Sequence, residues 1–243
     1  MIKLFRNIRQ NLLNEGRTSK YFKYAIGEII LVVIGILIAL SINNWNENKK
    51  AKTTEIYVLK EVLSNLNEDG IILNEIIEHR QKAKSSIADM LNYLQTENIN
   101  KDILEKDMLR FLTFERYFPI NNAYEVLKSK GLQLSNNKLT TQISRYYDYE
   151  QKKINGSILD IENAILSILE DRSGIARFIE SLTLNETITI INYDDAHLKK
   201  EIYREIVPFK NNNIGTLNKL IVFYENNQSL RNAIEKELKL LDK

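Results

Sequence analysis

Hydrophobic positions fall into distinct patterns along the chain. The first is an unbroken run from Ala25 to Ile42, AIGEIILVVIGILIALSI, whose eighteen residues include one charge, Glu28. At 1.5 Å per residue a helix of this length spans about 27 Å, close to the hydrocarbon thickness of a bilayer, so the run predicts a transmembrane helix. The second pattern is an alternating three-four spacing from Glu47 to about Gln95. Ile56, Leu59, Leu63, Leu66, Gly70, Leu73, Ile77, Arg80, Lys84, Ile87, Leu91 and Leu94 form one heptad seam, interrupted at Gly70, Arg80 and Lys84. A second seam runs through Ile154, Ile158, Ile161, Ile165, Ile168, Arg172, Ile175, Ile179 and Leu182, in a helix that opens at Asn136 as N-cap. Both helices would measure roughly 70 Å, and matched lengths with matched seams predict side-by-side packing.

Shorter elements fill the rest. Lys101 to Tyr117 reads as a helix stopped before Pro119, and Asn122 to Lys130 as another ended by Gly131 in a C-cap role. TITIINY, Thr187 to Tyr193, alternates and is β-branched, as a short strand or an extended loop would be. Helix resumes over Asp195 to Ile206, breaks at Pro208, and returns from Asn213 to Leu241 with Leu217, Ile221, Tyr224, Leu230, Ile234, Leu238 and Leu241 on its buried face. The fold class expected is all-α: one N-terminal transmembrane helix, then an elongated antiparallel helical bundle with long coiled-coil-like helices. Three segments follow: a basic interfacial segment over 1–24, the span over 25–42, and a helical domain over 43–243.

Composition agrees, since eight Gly and two Pro in 243 residues leave little to punctuate helices. The absence of Cys excludes disulfides and thiol chemistry. Net charge is only +2, and its basic part is concentrated before the span, where Lys3, Arg6, Arg9, Arg17, Lys20 and Lys23 face the single acid Glu15. That placement fits attraction to anionic lipid rather than a nucleic-acid footprint. Ile2, Leu4, Phe5, Ile8, Leu12 and Leu13 lie among these cations at near-helical spacing, which suits an interfacial helix. After the span come Lys49, Lys50, Lys52 and Lys60, so the positive-inside bias puts the N-terminus in the cytoplasm and exports the main domain. The pair Ala39 and Ser41 resembles a signal-peptidase site, but the long leader, the length of the run and Glu28 within it favour an uncleaved span.

Within the span, Gly27, Leu31, Gly35 and Ala39 recur every four residues, and the small residues among them permit close approach of another helix. Glu28 borders that stripe, about one turn inside the cytoplasmic end, where it either reaches headgroup water or Lys23, or pairs with a neighbouring helix. Tyr21, Phe22 and Tyr24 at one end and Trp45 past the other are placed as membrane-interface rings.

YAIGEIILVVIGILIALSINNWNE, Tyr24 to Glu47, resembles the opening signature of a family of uncharacterised bacterial single-pass membrane proteins, a domain of unknown function common in Gram-negative gliding and gut bacteria. NNAYEVLKSKGLQLSNNKLTTQISRYYDY, Asn121 to Tyr149, is similar to a second stretch of that family. The resemblance implies a single span in the inner membrane with the main domain in the periplasm, and brings no activity or functional residues.

Candidate chemistry is sparse. Asp194, Asp195 and His197 form the nearest thing to a metal cluster, but aspartates at a helix start are ordinary caps. His79 sits near Glu75 and Glu78 as a solvated helix residue would, and Lys128 and Lys130 read as a solvated turn. Tyr146, Tyr147 and Tyr149, with Tyr117 and Tyr124, either line a groove or pack in the core. No phosphate loop or nucleophile motif occurs, and no cofactor is expected. The reading that results is a non-enzymatic membrane-anchored scaffold or accessory subunit. Its partners are membrane lipid and either a second copy or another membrane protein. The alternative is an extracytoplasmic ligand-sensing module that signals through a membrane partner, since about two dozen cytoplasmic residues are too few for an output domain.

Overall fold

With so few helix breakers, the longest helix runs far past the apolar run that starts it. The computed structural model describes residues 18–96, 100–131, 134–183 and 187–242. It opens with α1, Thr18–Tyr93, a 76-residue helix. The interfacial helix expected over residues 2–13 lies outside the described residues. The chain divides into two compact units, Met1–Glu55 and Ile56–Lys243, and α1 contributes to both.

In the second unit the buried face of α1 is a continuous three-four series: Leu59, Val62, Leu66, Asp69, Leu73, Ile76, Arg80, Ala83, Ile87 and Met90. One row, Leu59, Leu66, Leu73, Arg80 and Ile87, is the expected one. The other is centred one residue earlier than expected, on Val62, Asp69, Ile76, Ala83 and Met90; of the row expected, Gly70 and Ile77 are buried as well, whereas Lys84 is exposed and Leu63 and Leu91 are half-buried. Polar Asp69 on the inner face displaced the reading by one position.

α2, Lys101–Leu112, is N-capped by Asn100, whose side chain accepts from the Asp102 and Ile103 backbone N–H groups at 3.0 and 3.3 Å. It ends five residues before the expected Tyr117. Thr113 turns to an extended conformation, its carbonyl accepts from the Arg80 guanidinium, and the Tyr117 hydroxyl is drawn to Asp69. α3, Asn122–Ser129, is followed by Gly131 at φ 84°, the left-handed geometry that a C-cap glycine supplies. α4, Asn137–Arg145, is capped by the Asn136 side chain and leads through a π-helical turn, Tyr146–Glu150, into α5, Gln151–Glu170. The extra residue of a π-turn rotates the face that follows, and here two successive tyrosines, Tyr146 and Tyr147, both point inward.

The second seam was expected to stay helical to Leu182; it does so only to Glu170. Asp171 Oδ1 accepts from the Ser173 backbone N–H at 2.9 Å and its hydroxyl at 2.6 Å, a local turn that competes with helix. A short 3-10 turn, Ile175–Phe178, then leads into β1, Ile179–Thr183, paired antiparallel with β2, Thr187–Ile190. The alternating TITI is therefore a strand, and the fold carries a hairpin that the all-α expectation lacked. The Ile190 N–H donates to Glu105 of α2 at 2.8 Å.

α6, Ala196–Leu241, passes through Pro208 without the expected break. Proline costs the helix one hydrogen bond, to the carbonyl of Arg204, but Arg204, Val207 and Pro208 lie on the exposed side, where water can take that carbonyl. Ile206 and Phe209 remain buried on the opposite face and hold the helix in line.

Hydrogen bonds fix the register of the long helices. Asn213 Nδ2 donates to the Arg80 carbonyl at 3.2 Å and Asn227 Nδ2 to the Leu66 carbonyl at 3.0 Å, two heptads apart on both helices and in opposite order, so α6 runs antiparallel to α1. Asn136 to Glu237, Asn227 to the Tyr146 hydroxyl and Thr216 to the Ser157 carbonyl repeat the device between α6 and the α4–α5 helix. A buried polar residue in a heptad seam is a register device, because any slip leaves its groups unpaired. Gly70 makes room for one of them: a Cβ there would lie 3.2 Å from Asn227 Oδ1. Asn227→Ala removes both of its bonds and should cost about 1–3 kcal/mol. The expected result is a lower urea midpoint at unchanged m, and a less than additive loss when combined with Tyr146→Phe.

The apolar interior comprises two clusters. One joins Leu59, Leu66, Leu73, Tyr124, Ile143, Leu220 and Ile234, and the other joins Met90, Met108, Phe111, Ile165, Ile188 and Ile202.

Candidate functional site

The first unit holds the stretch of α1 from Ala25 to Ile42. It contains an eighteen-residue window of mean hydropathy 2.8, none of it buried. By length and composition it can cross a membrane. Gly27 and Gly35 have no atom within 4 Å of where a Cβ would stand, and Leu31 and Ala39 are exposed beside them. Positions four apart precess by about 40° per step, so the stripe winds slowly around the helix. Glu28 is half-buried next to it. Phe22, Tyr24 and Trp45 are exposed, and the Lys49 ammonium sits 5.5 Å from the centroid of the Trp45 ring. The Tyr21 side chain lies outside the described residues.

In the second unit, the polar centre is Asp69, which is fully buried. Its Oδ2 accepts from the hydroxyls of Tyr117 at 2.6 Å and Tyr146 at 3.2 Å and from the Gln151 amide at 3.3 Å. Its Oδ1 makes no hydrogen bond of normal geometry. Burial raises the Asp69 pKa above the ordinary carboxylate value, against the pull of Tyr117, Tyr146, Gln151 and the Ile120 backbone N–H. The same burial, reinforced by the charge of Asp69, raises the pKa values of Tyr117 and Tyr146. Tyr147 stacks on Tyr124 with centroids 4.6 Å apart, and Tyr146 stacks on Phe223 at 4.8 Å. The tyrosines thus separate: Tyr146 and Tyr147 are core residues, whereas Tyr149 is 57% exposed, and the three do not line one groove. Lys128 is exposed, as a solvated residue should be, and pairs with Asp148 at 2.8 Å.

A second polar centre surrounds Arg80, only 1% exposed. Its Nε lies 3.1 Å from Glu115 Oε2, its Nη2 donates to Glu115 Oε1 at 3.3 Å and to the Thr113 carbonyl, and His79 Nδ1 lies 2.8 Å from Glu115 Oε1. Arg80 and His79 of α1, with Lys106 and Arg110 of α2, border a surface pocket of about 260 Å³. Open grooves of about 450 and 470 Å³ follow the α1–α6 seam, the first past Gly70 and Arg231 and the second past Lys84 and Asn213.

The Asp194, Asp195 and His197 group resolves into a helix cap, in which Asp195 accepts from the His197 backbone N–H at 2.8 Å. Among the described residues, no three His, Asp or Glu side chains are grouped to hold a metal ion. Sequence reasoning missed Asp69, Asn213 and Asn227. The two asparagines did leave a signal, since they stand two heptads apart on what becomes the buried face of α6.

Residues 28–196 match the model of a family of unknown function, DUF6090. The match takes in the hairpin, the whole of Asn121 to Tyr149 and all but the first residues of Tyr24 to Glu47. No curated protein and no solved structure matches the chain.

Proposed function

We propose that this chain, which belongs to the family of unknown function DUF6090, is a non-enzymatic, membrane-anchored helical bundle that acts as a scaffold or accessory subunit for another membrane protein. The observation that carries the reading is the helix around Val33, whose apolar side chains are all exposed and take no part in the folded core. So continuous an apolar surface needs lipid or a partner to cover it. In this reading it spans the bacterial inner membrane, with the basic N-terminal segment on the cytoplasmic side and the bundle of long coiled-coil-like helices in the periplasm. The flanking cations support that direction, and Trp45 with Lys49 above it suits the far headgroup layer. The face bearing Gly27, Leu31, Gly35 and Ala39, with Glu28 beside it, is where a second copy or another membrane helix would approach.

Because the chain has no Cys, a single Cys reports one position without background. Gly35→Cys, labelled in membranes with a maleimide that carries a photoreactive group, should give a photo-adduct with a second copy or with another membrane protein. Val33→Cys, on nearly the opposite side of the helix from Gly35, should not. Equal crosslinking at both positions, or at neither, would contradict a specific helix contact.

The ligand-sensing alternative gains one observation, the basic pocket beside Arg80. A sensor is separated from a scaffold by whether ligand changes the yield of the Gly35→Cys adduct.

A further inference from the structure

The pocket between α1 and α2 has an unusual lining. His79, Arg80, Lys82, Lys106 and Arg110 make up most of its wall, completed by Leu109 and Thr113. Two carboxylates stand close by, and both are already engaged. Glu115 is held by Arg80 and His79, and Asp107 accepts from Ser86 at 2.8 Å and Tyr93 at 3.1 Å. Arg110 comes no nearer to Asp107 than 3.9 Å, and no ion pair among the described residues involves Lys82 or Lys106. The charged side chains of the pocket wall itself are thus all basic, with no carboxylate among them.

A second observation is independent of that charge. Arg80 is almost wholly buried, and a buried guanidinium needs its donors paired. Nη2 donates to Glu115 and the Thr113 carbonyl, and Nε faces Glu115 Oε2 at 3.1 Å without hydrogen-bond geometry, but Nη1 has no partner at all. An unpaired donor edge on a residue that lines a cationic pocket is what remains when an oxyanion is the missing partner. Guanidinium offers directional donors to such a group, and the two lysines supply point charges around it.

We infer that this pocket binds a phosphate group, held by the free edge of Arg80 and by Lys82, Lys106 and Arg110. At about 260 Å³ it lies below the usual range for larger organic ligands, so the recognised moiety is the phosphate itself, free or on a small solute. The site goes beyond the scaffold reading and does not depend on it.

The test uses the full chain in nanodiscs of zwitterionic lipid, with thermal unfolding followed against sodium phosphate and against sodium chloride at equal ionic strength. Phosphate should raise Tm saturably and chloride should not. In Lys106→Gln/Arg110→Gln, whose side chains are exposed enough to spare the fold, the half-saturating phosphate concentration should rise at least tenfold. In Lys84→Gln, outside the pocket, it should not change. Glycerol phosphate acting like inorganic phosphate points to a small solute. Equal Tm in phosphate and chloride, or an unaltered response in the double variant, would overturn the site.

Discussion

Val33→Arg combined with Ile34→Arg should remove the protein from the alkali-resistant membrane fraction. Both residues lie at the middle of the Ala25 to Ile42 run, both are exposed, and neither contributes to either apolar cluster, so the substitutions leave the folded core alone. Arginine at the centre of a span costs about 2.5–3.5 kcal/mol on insertion scales. Two of them cost about 5–7 kcal/mol, a shift of several orders of magnitude between inserted and non-inserted protein. Val33→Leu with Ile34→Leu should stay in the membrane. Retention of the double arginine variant after an alkaline wash would mean that some other part of the chain holds the protein there.

The second large effect is expected at Asp69. Asp69→Leu strands the hydroxyl of Tyr117 and the amide of Gln151 and leaves the Tyr146 hydroxyl only its bond from Asn227. Buried donors left unpaired cost about 1–3 kcal/mol each, so the variant should lose about 3–5 kcal/mol, enough to unfold a marginal domain. Asp69→Asn keeps an acceptor oxygen for the same donors and removes the charge that burial penalises, so it should fold and should change the pH dependence. Because burial raises the Asp69 pKa, the folded chain keeps this proton to a higher pH than the unfolded chain does. The stability linked to it is complete below the unfolded value near 3.8 and is lost as pH rises through the folded value. Asp148 and Asp171 act in the opposite sense. Lys128 and Tyr124 lower the pKa of the first, and Ser173 lowers that of the second, so their contributions are lost as pH falls through their folded values. The wild type minus Asp69→Asn difference cancels them. Urea unfolding from pH 4 to pH 7 should show wild type losing stability relative to Asp69→Asn as pH rises; a flat difference would mean that Asp69 is not buried as a charged group.

The sequence disclosed what depends on runs of one chemistry and hid what depends on a partner. An apolar run with one charge has few other readings, so the candidate span was legible. The caps at Asn136 and Asp195 and the glycine at Gly131 were legible because each acts on its own backbone. The inner face of α1 was not fully so, since Asp69 enters the core only because three donors from elsewhere in the chain converge on it. On α6, Leu217, Leu230, Ile234 and Leu238 are buried as expected, whereas Ile221 and Tyr224 were taken for the buried Leu220 and Phe223, because the face turns there about Asn213, Thr216 and Asn227. β1 was hidden inside a heptad spacing that Ile175 and Ile179 continue by coincidence, and the Asp171 turn that ends the helix is a matter of one side chain. Of the candidate site, the exposed apolar helix was legible as a helix long and apolar enough to span. The Arg80 pocket was visible only as an interruption in a seam.

If α1 crosses a bilayer between Ala25 and Ile42, the two ends of that run lie on opposite sides. Single cysteines at Ser19 and Thr54, both exposed and both in the first unit, test it directly with a membrane-impermeant maleimide. In cells whose outer membrane alone has been opened, Thr54→Cys should be labelled at once and Ser19→Cys only after the inner membrane is permeabilised. Labelling of both before permeabilisation, or of neither, would contradict a span.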